Sequence, residues 1–324
     1  LPKTMRVDYF HSGTATEQHV ALDSVVADGP WAGPRRQLVD QLDLGEYSFQ
    51  VRDRETDQLL YSRGFCSVFG EWQTIAEAKQ RWGTFHESLR FPWPKEPVKV
   101  VLRQRITGEW QEIWTTMVEP QSRFVTDAET QRRDHVWEVF THGKPSEKVD
   151  IVLLGDGFAK EDMPSFHQAA KKLTAALFSV EPFKSRRTDF NVRAIDVVAA
   201  ESGVSQPRSK DFRRSPLSCQ YNTFDLPRYV LTFNNKTVRD VAAQAPYDCL
   251  VILLNDPTYG GGGIYNDQTI VAAHNRLSDY VMIHEFGHHM GALGDEYYSS
   301  NVAYETGKPI TIEPWEPNVT ALLE

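Results

Sequence analysis

The stretch MIHEFGHHMGALGDEYY, residues 282–298, decides how this chain is read. His284 and His288 are four residues apart, so on a helix they project from one face, about 40° apart and one turn displaced. Two imidazole nitrogens in that relation converge on one Zn2+ at roughly 2.0–2.1 Å each. Glu285 lies beside them, placed to take a proton from an activated water without binding the ion itself. This is the His-Glu-x-x-His logic of a zinc hydrolase. The competing reading is a histidine-rich polar helix end with no chemistry. Gly287 and Gly291 weigh against it, since each costs about 1 kcal/mol relative to alanine in an ordinary solvated helix. They make sense where another backbone approaches closely or where the helix must stop. A bend over residues 291–294 would then return Asp295 beneath the imidazoles. A catalytic zinc takes three protein ligands and leaves a fourth position open. Asp295 is the expected third ligand, with Glu296 as the alternative.

The sequence around this stretch reads as a layered α/β domain. Ser278 is the expected N-cap of the helix, Asp279 favours its first turn, and Val281, Ile283 and Met290 supply its buried positions. Upstream, VDIVLLGDGF (149–158), FNVRAIDVVAA (190–200) and YDCLVILLND (247–256) are apolar runs of the kind that become buried strands. Between the first two, Phe166, Ala169, Ala170, Leu173, Leu177 and Phe178 recur at helical spacing. Asp156, at a strand end, is read as a turn-stabilising carboxylate. GGGG at 260–263 lacks the lysine and helix of a phosphate loop. It suits the rim of a cleft, an edge where a substrate strand adds, or a plain loop. His289 points about 100° from His288 and is expected to cap carbonyls at the helix end. His274 is expected to be satisfied or solvent-facing. Tyr297 and Tyr298 are candidates either for oxyanion contact or for packing.

The first third has a different character. YFHSGTATEQHVALDSVV (9–26), EYSFQVRDRE (46–55), LLYSRGFCSVFG (59–70), VKVVLRQRI (98–106) and EWQEIWTTMV (109–118) approach period-two alternation. DGPWAGP and FPWPKEP punctuate them as turns. The expected organisation is an antiparallel β-sandwich over residues 1–120, a polar linker over 121–147, and a mixed-sheet catalytic domain over 148–324. The fold class is therefore α+β or α/β, and 324 residues suffice for two cores.

Bulk composition excludes several alternatives. A formal charge of −9 disfavours nucleic acid as the partner, which needs a basic face. No apolar run reaches the length of a membrane span. Cys66, Cys219 and Cys249 cannot form a disulfide framework and are expected to be buried thiols. The opening LPKTMRVDYF lacks a secretory pattern, as both an intracellular chain and a trimmed secreted one would.

HEFGHHMGALGDEYY resembles the signature of the IgA-peptidase family of bacterial zinc metallopeptidases. The zinc helix of that family reads His-Glu-Phe-Gly-His and runs on to a glycine-rich turn and Asp-Glu-Tyr. DIVLLGDGFAKEDMPSFHQAAKKL, LFSVEPFKSRRTDFNVRAIDVVAAESGVSQP and NDPTYGGGGIYN are similar to it as well, so the resemblance covers residues 148–318. The β-rich first third resembles the family's N-terminal module. The resemblance implies a zincin-like catalytic domain, secreted or on the cell surface, that hydrolyses peptide bonds of protein substrates such as a host immunoglobulin. It carries His284 and His288 over as ligands and Glu285 as catalytic base, and supports Asp295 as third ligand. Two departures stand out against the related metzincins. Gly294 occupies the place of their third histidine, and no methionine follows Met290 to build a methionine turn. Either the site has a different floor, or the catalytic domain is truncated at its C-terminal end. Two other classes compete with the endopeptidase: a binding or adhesion protein on a degenerate peptidase scaffold, and a zinc amidase or deacetylase.

Overall fold

The computed structural model describes residues 3–128, 134–295 and 312–320. Seven strands make most of the N-terminal region: β1 (Lys3–Gly13), β2 (Gln18–Pro30), β3 (Tyr47–Asp53), β4 (Leu59–Phe65), β5 (Gly83–Pro92), β6 (Val98–Ile106) and β7 (Glu109–Val118). A short helix, α1 (Val68–Thr74), follows β4. The strands form two four-stranded sheets, β5-β1-β2-β8 and β4-β3-β6-β7, where β8 is Val125–Asp127. Inward residues of both sheets, among them Val7, Tyr9, Phe49, Val51, Leu89, Phe91, Val100 and Leu102, make one shared core. That is what alternation predicts when one face of each strand is buried and the other is wet.

Two local expectations differ from the structure. GTFHESLRFP carries no clean alternation of polarity, yet it forms β5 and pairs with β1 from Thr4 to Gly13. The pattern of LLYSRGFCSVFG continues the strand through CSVFG, yet Ser67 caps α1 by accepting from the Gly70 amide at 3.1 Å. Phe69 and Trp72, three residues apart, are buried by that helix. The 121–147 segment carries two strands: β8 pairs parallel with β2, and β9 (His135–Phe140) joins the next sheet.

That next sheet has six strands in the order β15-β16-β14-β10-β11-β9, with β10 (Val149–Asp156), β11 (Phe190–Asp196), β14 (Cys249–Leu254), β15 (Gly261–Ile264) and β16 (Gln268–Ala272). A two-stranded ribbon, β12 (Cys219–Gln220) with β13 (Leu231–Thr232), lies in the connection before β14. Strands β11, β10, β14 and β16 run parallel, while β9 and β15 run antiparallel at the two edges. Parallel strands covered on both faces read as unbroken apolar runs, which is why CLVILL and IVLL do not alternate. On one face Val152, Leu154, Ile252 and Ile270 pack with α3 (Asn235–Ala242) and with Val68. On the other, Ile151, Leu153, Val251 and Val271 pack with α2 (Met163–Leu177) and α4 (Ser278–Gly291).

The two regions are joined by polar contacts as well as apolar ones. Arg6, fully buried on β1, reaches Asp8, Asp28 and, at 2.5 Å, Asp240 on α3. Buried charge is tolerated only when paired, and here three carboxylates surround one guanidinium. The β15–β16 turn docks on β4: Arg63 donates to Asn266 Oδ1 at 2.7 Å, and Asn266 Nδ2 donates to the Gly64 carbonyl at 2.7 Å. Asp156 serves a distant segment rather than its own turn. Buried at the end of β10, it accepts from Ser215 Oγ and from the Leu217 and Cys219 amides at 2.8–2.9 Å, anchoring the long connection that precedes β14. Cys66, Cys219 and Cys249 are free thiols. No helix among the described residues is long and apolar enough to cross a membrane.

Candidate metal centre

Helix α4 lies across β15 and β16, and the glycines of β15 make that approach possible. A Cβ at Gly263 would stand 2.3 Å from the Glu285 carbonyl oxygen, and one at Gly261 would stand 2.6 Å from Val281 Cγ1 and 3.0 Å from Glu285 Oε1. The GGGG segment is therefore an edge strand pressed against the helix. The close approach expected at Gly287 is made here instead, since a Cβ at Gly287 would meet only Leu293, at 3.4 Å.

The helix ends also differ from expectation. Leu277 occupies the N-cap position, and the Ser278 hydroxyl turns back to donate to the Ala272 and Asn275 carbonyls at 2.6 Å. Asp279 does sit in the first turn, paired with Lys172 at 3.0 Å. At the other end the left-handed residue is Ala292 (φ 56°), not a glycine. Its amide donates to the His288 carbonyl at 3.1 Å, and the chain then reverses. Asn318 holds the reversal from outside, accepting from the Gly294 amide at 2.8 Å and donating to the Gly294 carbonyl at 2.9 Å. The buried face of α4 is Val281, Met282, Phe286 and His289, while Ile283 and Met290 are half-buried.

The reversal delivers Asp295 to the two imidazoles. His284 Nε2 and His288 Nε2 are 3.2 Å apart, and Asp295 Oδ1 lies 3.3 Å from the first and 3.2 Å from the second. Donors each about 2.0–2.1 Å from a tetrahedral ion stand roughly 3.3–3.4 Å from one another. The three donor atoms therefore match three corners of such a site. Glu285 stands slightly further out, offering a carboxylate oxygen within 4.8 Å of both imidazoles. The His288 ring is oriented from behind, where Nδ1 donates to the Leu293 carbonyl at 2.5 Å and turns Nε2 toward the trio. The His284 ring stacks on Tyr280, 5.7 Å between centroids.

Electrostatics follow from this geometry. Burial opposes charge on Asp295, yet hydrogen bonds from His284 and His288 hold its carboxyl well below the usual range. Burial likewise opposes charge on His288, but Asp295 and the Leu293 carbonyl push it up to about 9. Burial pushes Glu285 up to about 7, against the pull of the two imidazoles. A second trio, Asp8, Asp23 and His86, also brings donors together. Its Asp8 is already committed to Arg6 and to Ser88 Oγ at 2.5 Å.

The remaining candidates are placed as follows. His289 does not cap the helix end: it is buried against Phe286, facing backbone groups of Ile264 and Gln268, and burial pulls it down to about 3. His274 is exposed and sits 3.3 Å from Ser165 Oγ. Glu296, Tyr297 and Tyr298 lie outside the described residues. Sequence reasoning missed Tyr229 and Glu71. Tyr229 bonds Glu71 across the boundary between the two regions, and its phenol feels the charges of Glu285 and Asp295. No local motif marks either residue.

Residues 138–324 match the family described as IgA Peptidase M64, and residues 1–115 match the one described as Peptidase M64 N-terminus. No curated protein matches the chain significantly.

Proposed function

The chain belongs to the IgA peptidase M64 family of metallopeptidases, and from that premise we propose that it is a zinc-dependent endopeptidase acting on protein substrates. The observation that carries the zinc assignment is the mutual spacing of His284 Nε2, His288 Nε2 and Asp295 Oδ1, all within 3.2–3.3 Å. Two imidazoles and one carboxylate suit a borderline-soft divalent ion and leave a fourth corner for the reaction. Zn2+ held there supplies Lewis acidity toward the scissile carbonyl and brings the pKa of water from 15.7 to about 7.

The chain's own residues do the rest. Glu285 accepts the proton of the attacking water on its carboxylate and returns it to the leaving amine nitrogen. Glu285 Oε1 lies against Gly261, which keeps the carboxylate beside the edge strand. Leu293, through its carbonyl, keeps His288 in the tautomer whose Nε2 carries the lone pair. We place the protein outside the cell or on its surface, with a host glycoprotein such as immunoglobulin as the substrate class; the family description and the resemblance support this. Secretion is checked by fractionating the source cells.

The decisive experiment combines metal analysis with cleavage of a mixed peptide library. Expected are about one zinc per chain and cleavage that chelation abolishes. Glu285→Ala should keep the metal and lose the cleavage; cleavage at full rate by that variant would sink the proposal.

A further inference from the structure

We infer that Asn318 is a positioning residue of the metal centre: its side-chain amide fixes Gly294 and, through it, sets where Asp295 stands against His284 and His288. The inference rests on the zinc reading above and deepens it, adding a residue 24 positions beyond Gly294.

The bend between α4 and Asp295 is fastened in two halves. As far as Leu293 it is held by α4 itself. The Ala292 amide donates to the His288 carbonyl at 3.1 Å, the Leu293 amide to the Gly287 carbonyl at 3.4 Å, and the Leu293 carbonyl accepts from His288 Nδ1 at 2.5 Å. At Gly294 the hold passes to Asn318, which accepts from the Gly294 amide at 2.8 Å and donates to the Gly294 carbonyl at 2.9 Å. The amide belongs to the peptide plane before Gly294 and the carbonyl to the plane after it. One side chain therefore fixes both planes, and with them the two soft dihedrals of the residue type with the widest conformational freedom. The second plane ends at the Cα of Asp295, whose Oδ1 lies 3.3 Å and 3.2 Å from the two imidazole nitrogens.

Asn318 is itself held in place. The Val319 amide donates to the Glu316 carbonyl at 3.2 Å and closes a turn around it. That turn packs on the bend, since a Cβ at Gly294 would stand 3.1 Å from Val319 Cγ2 and 3.3 Å from Glu316 Cγ. Just before it, Trp315 stacks on Tyr265, the residue after β15, with 6.1 Å between centroids. Ile312 Cγ2 lies 3.2 Å from where a Cβ at Gly108 would stand, in the β6–β7 turn. The brace is thus anchored on the edge strand and on the N-terminal region. Asparagine suits the place, because its amide offers an acceptor and a donor side by side, whereas an aspartate offers acceptors alone. Groups that orient a ligand from behind in this way set how well a site grips its ion.

The test measures the Zn2+ affinity of the full chain by competition with a chromogenic chelator and the visible spectrum of its Co2+ form, beside urea unfolding of the metal-free chain. Asn318→Ala should bind Zn2+ about tenfold more weakly and alter the Co2+ bands, with the metal-free unfolding midpoint close to that of the parent. Asn318→Gln, which keeps both acceptor and donor, should recover most of the affinity; Asn318→Asp, which keeps the shape and loses the donor, should not. In an Asp295→Ala background, Asn318→Ala should cost no further affinity, because the residue acts through Asp295. The inference is overturned if Asn318→Ala binds Zn2+ within about twofold of the parent, or if it weakens Zn2+ equally when Asp295 is absent. Should Asn318→Ala fail to fold without metal, Asn318→Asp carries the same two comparisons. Zn2+ affinity that depends on Asn318 in a parent that cleaves no peptide supports this inference and overturns the peptidase reading. A parent that binds no Zn2+ overturns both.

Discussion

His288 and His289 are consecutive on α4 and end in opposite surroundings. The His288 ring turns outward, oriented through Nδ1, and Asp295 and the Leu293 carbonyl push it up to about 9. The His289 ring turns inward onto Phe286, and burial pulls it down to about 3. Both are imidazoles on one backbone. A rotation of about 100° per residue separates a face that faces carboxylates from a face that faces the core. The two faces of the helix, rather than the identity of the residues, set what each side chain can do.

That contrast can be broken at several points. The largest effect is expected on the outward face, where Glu285→Gln should cut peptide hydrolysis about 10³-fold with metal content unchanged. Loss of the metal together with the activity would make Glu285 a ligand and erase its separation from the trio. Next in size, His288→Ala should weaken zinc about 10²-fold or more by calorimetric titration, whereas His289→Phe should leave zinc binding as it was. A His289 variant that loses metal would show the two faces are not independent. On the inward face, His289→Lys should cost about 3 kcal/mol or more of unfolding free energy by urea denaturation, because it buries a charge among apolar groups.

A smaller effect comes from a carboxyl that shares the inward histidine's situation. Burial pushes Glu46 up to about 7, so between pH 4.5 and 7 the folded chain keeps a proton that the unfolded chain has released. Stability from this group is complete below pH 4.5 and declines as pH rises toward 7. Glu46→Gln should remove that decline, a difference of about 1–2 kcal/mol between melts at pH 5 and pH 7. The smallest change is expected for His289→Phe itself, within about 1 kcal/mol of the parent, since it replaces a buried neutral ring with an apolar one of similar size. A large loss of stability in that variant would mean the ring is hydrogen-bonded after all.

Much of the fold was legible because its signals are local. CLVILL and IVLL announce buried parallel strands, and the 166–178 periodicity announces α2. That His284 and His288 face one way follows from spacing alone, and past the glycine-rich bend Asp295 Oδ1 lies 3.2–3.3 Å from their Nε2 atoms. β5 was missed because its partners, not its own pattern, hold it in the sheet. Ser278 is not the N-cap that its position suggests, because its hydroxyl donates to the Ala272 carbonyl at the end of β16 and to the Asn275 carbonyl, a competition that only the folded chain reveals. GGGG was ambiguous for a similar reason. Glycine records that something comes close without saying what, and here it is α4.

The sequence alone determined the helix carrying the two imidazoles, the carboxylate beside them and the one beyond the bend, because a helical repeat and a turn are set by neighbours along the chain. Only the tertiary structure decided that Glu71 meets Tyr229, that Asn318 braces Gly294, and that β15 lies beneath Glu285. Those contacts join residues many positions apart, and no periodicity encodes them; they exist because the two sheets and the helix layer pack in one particular way.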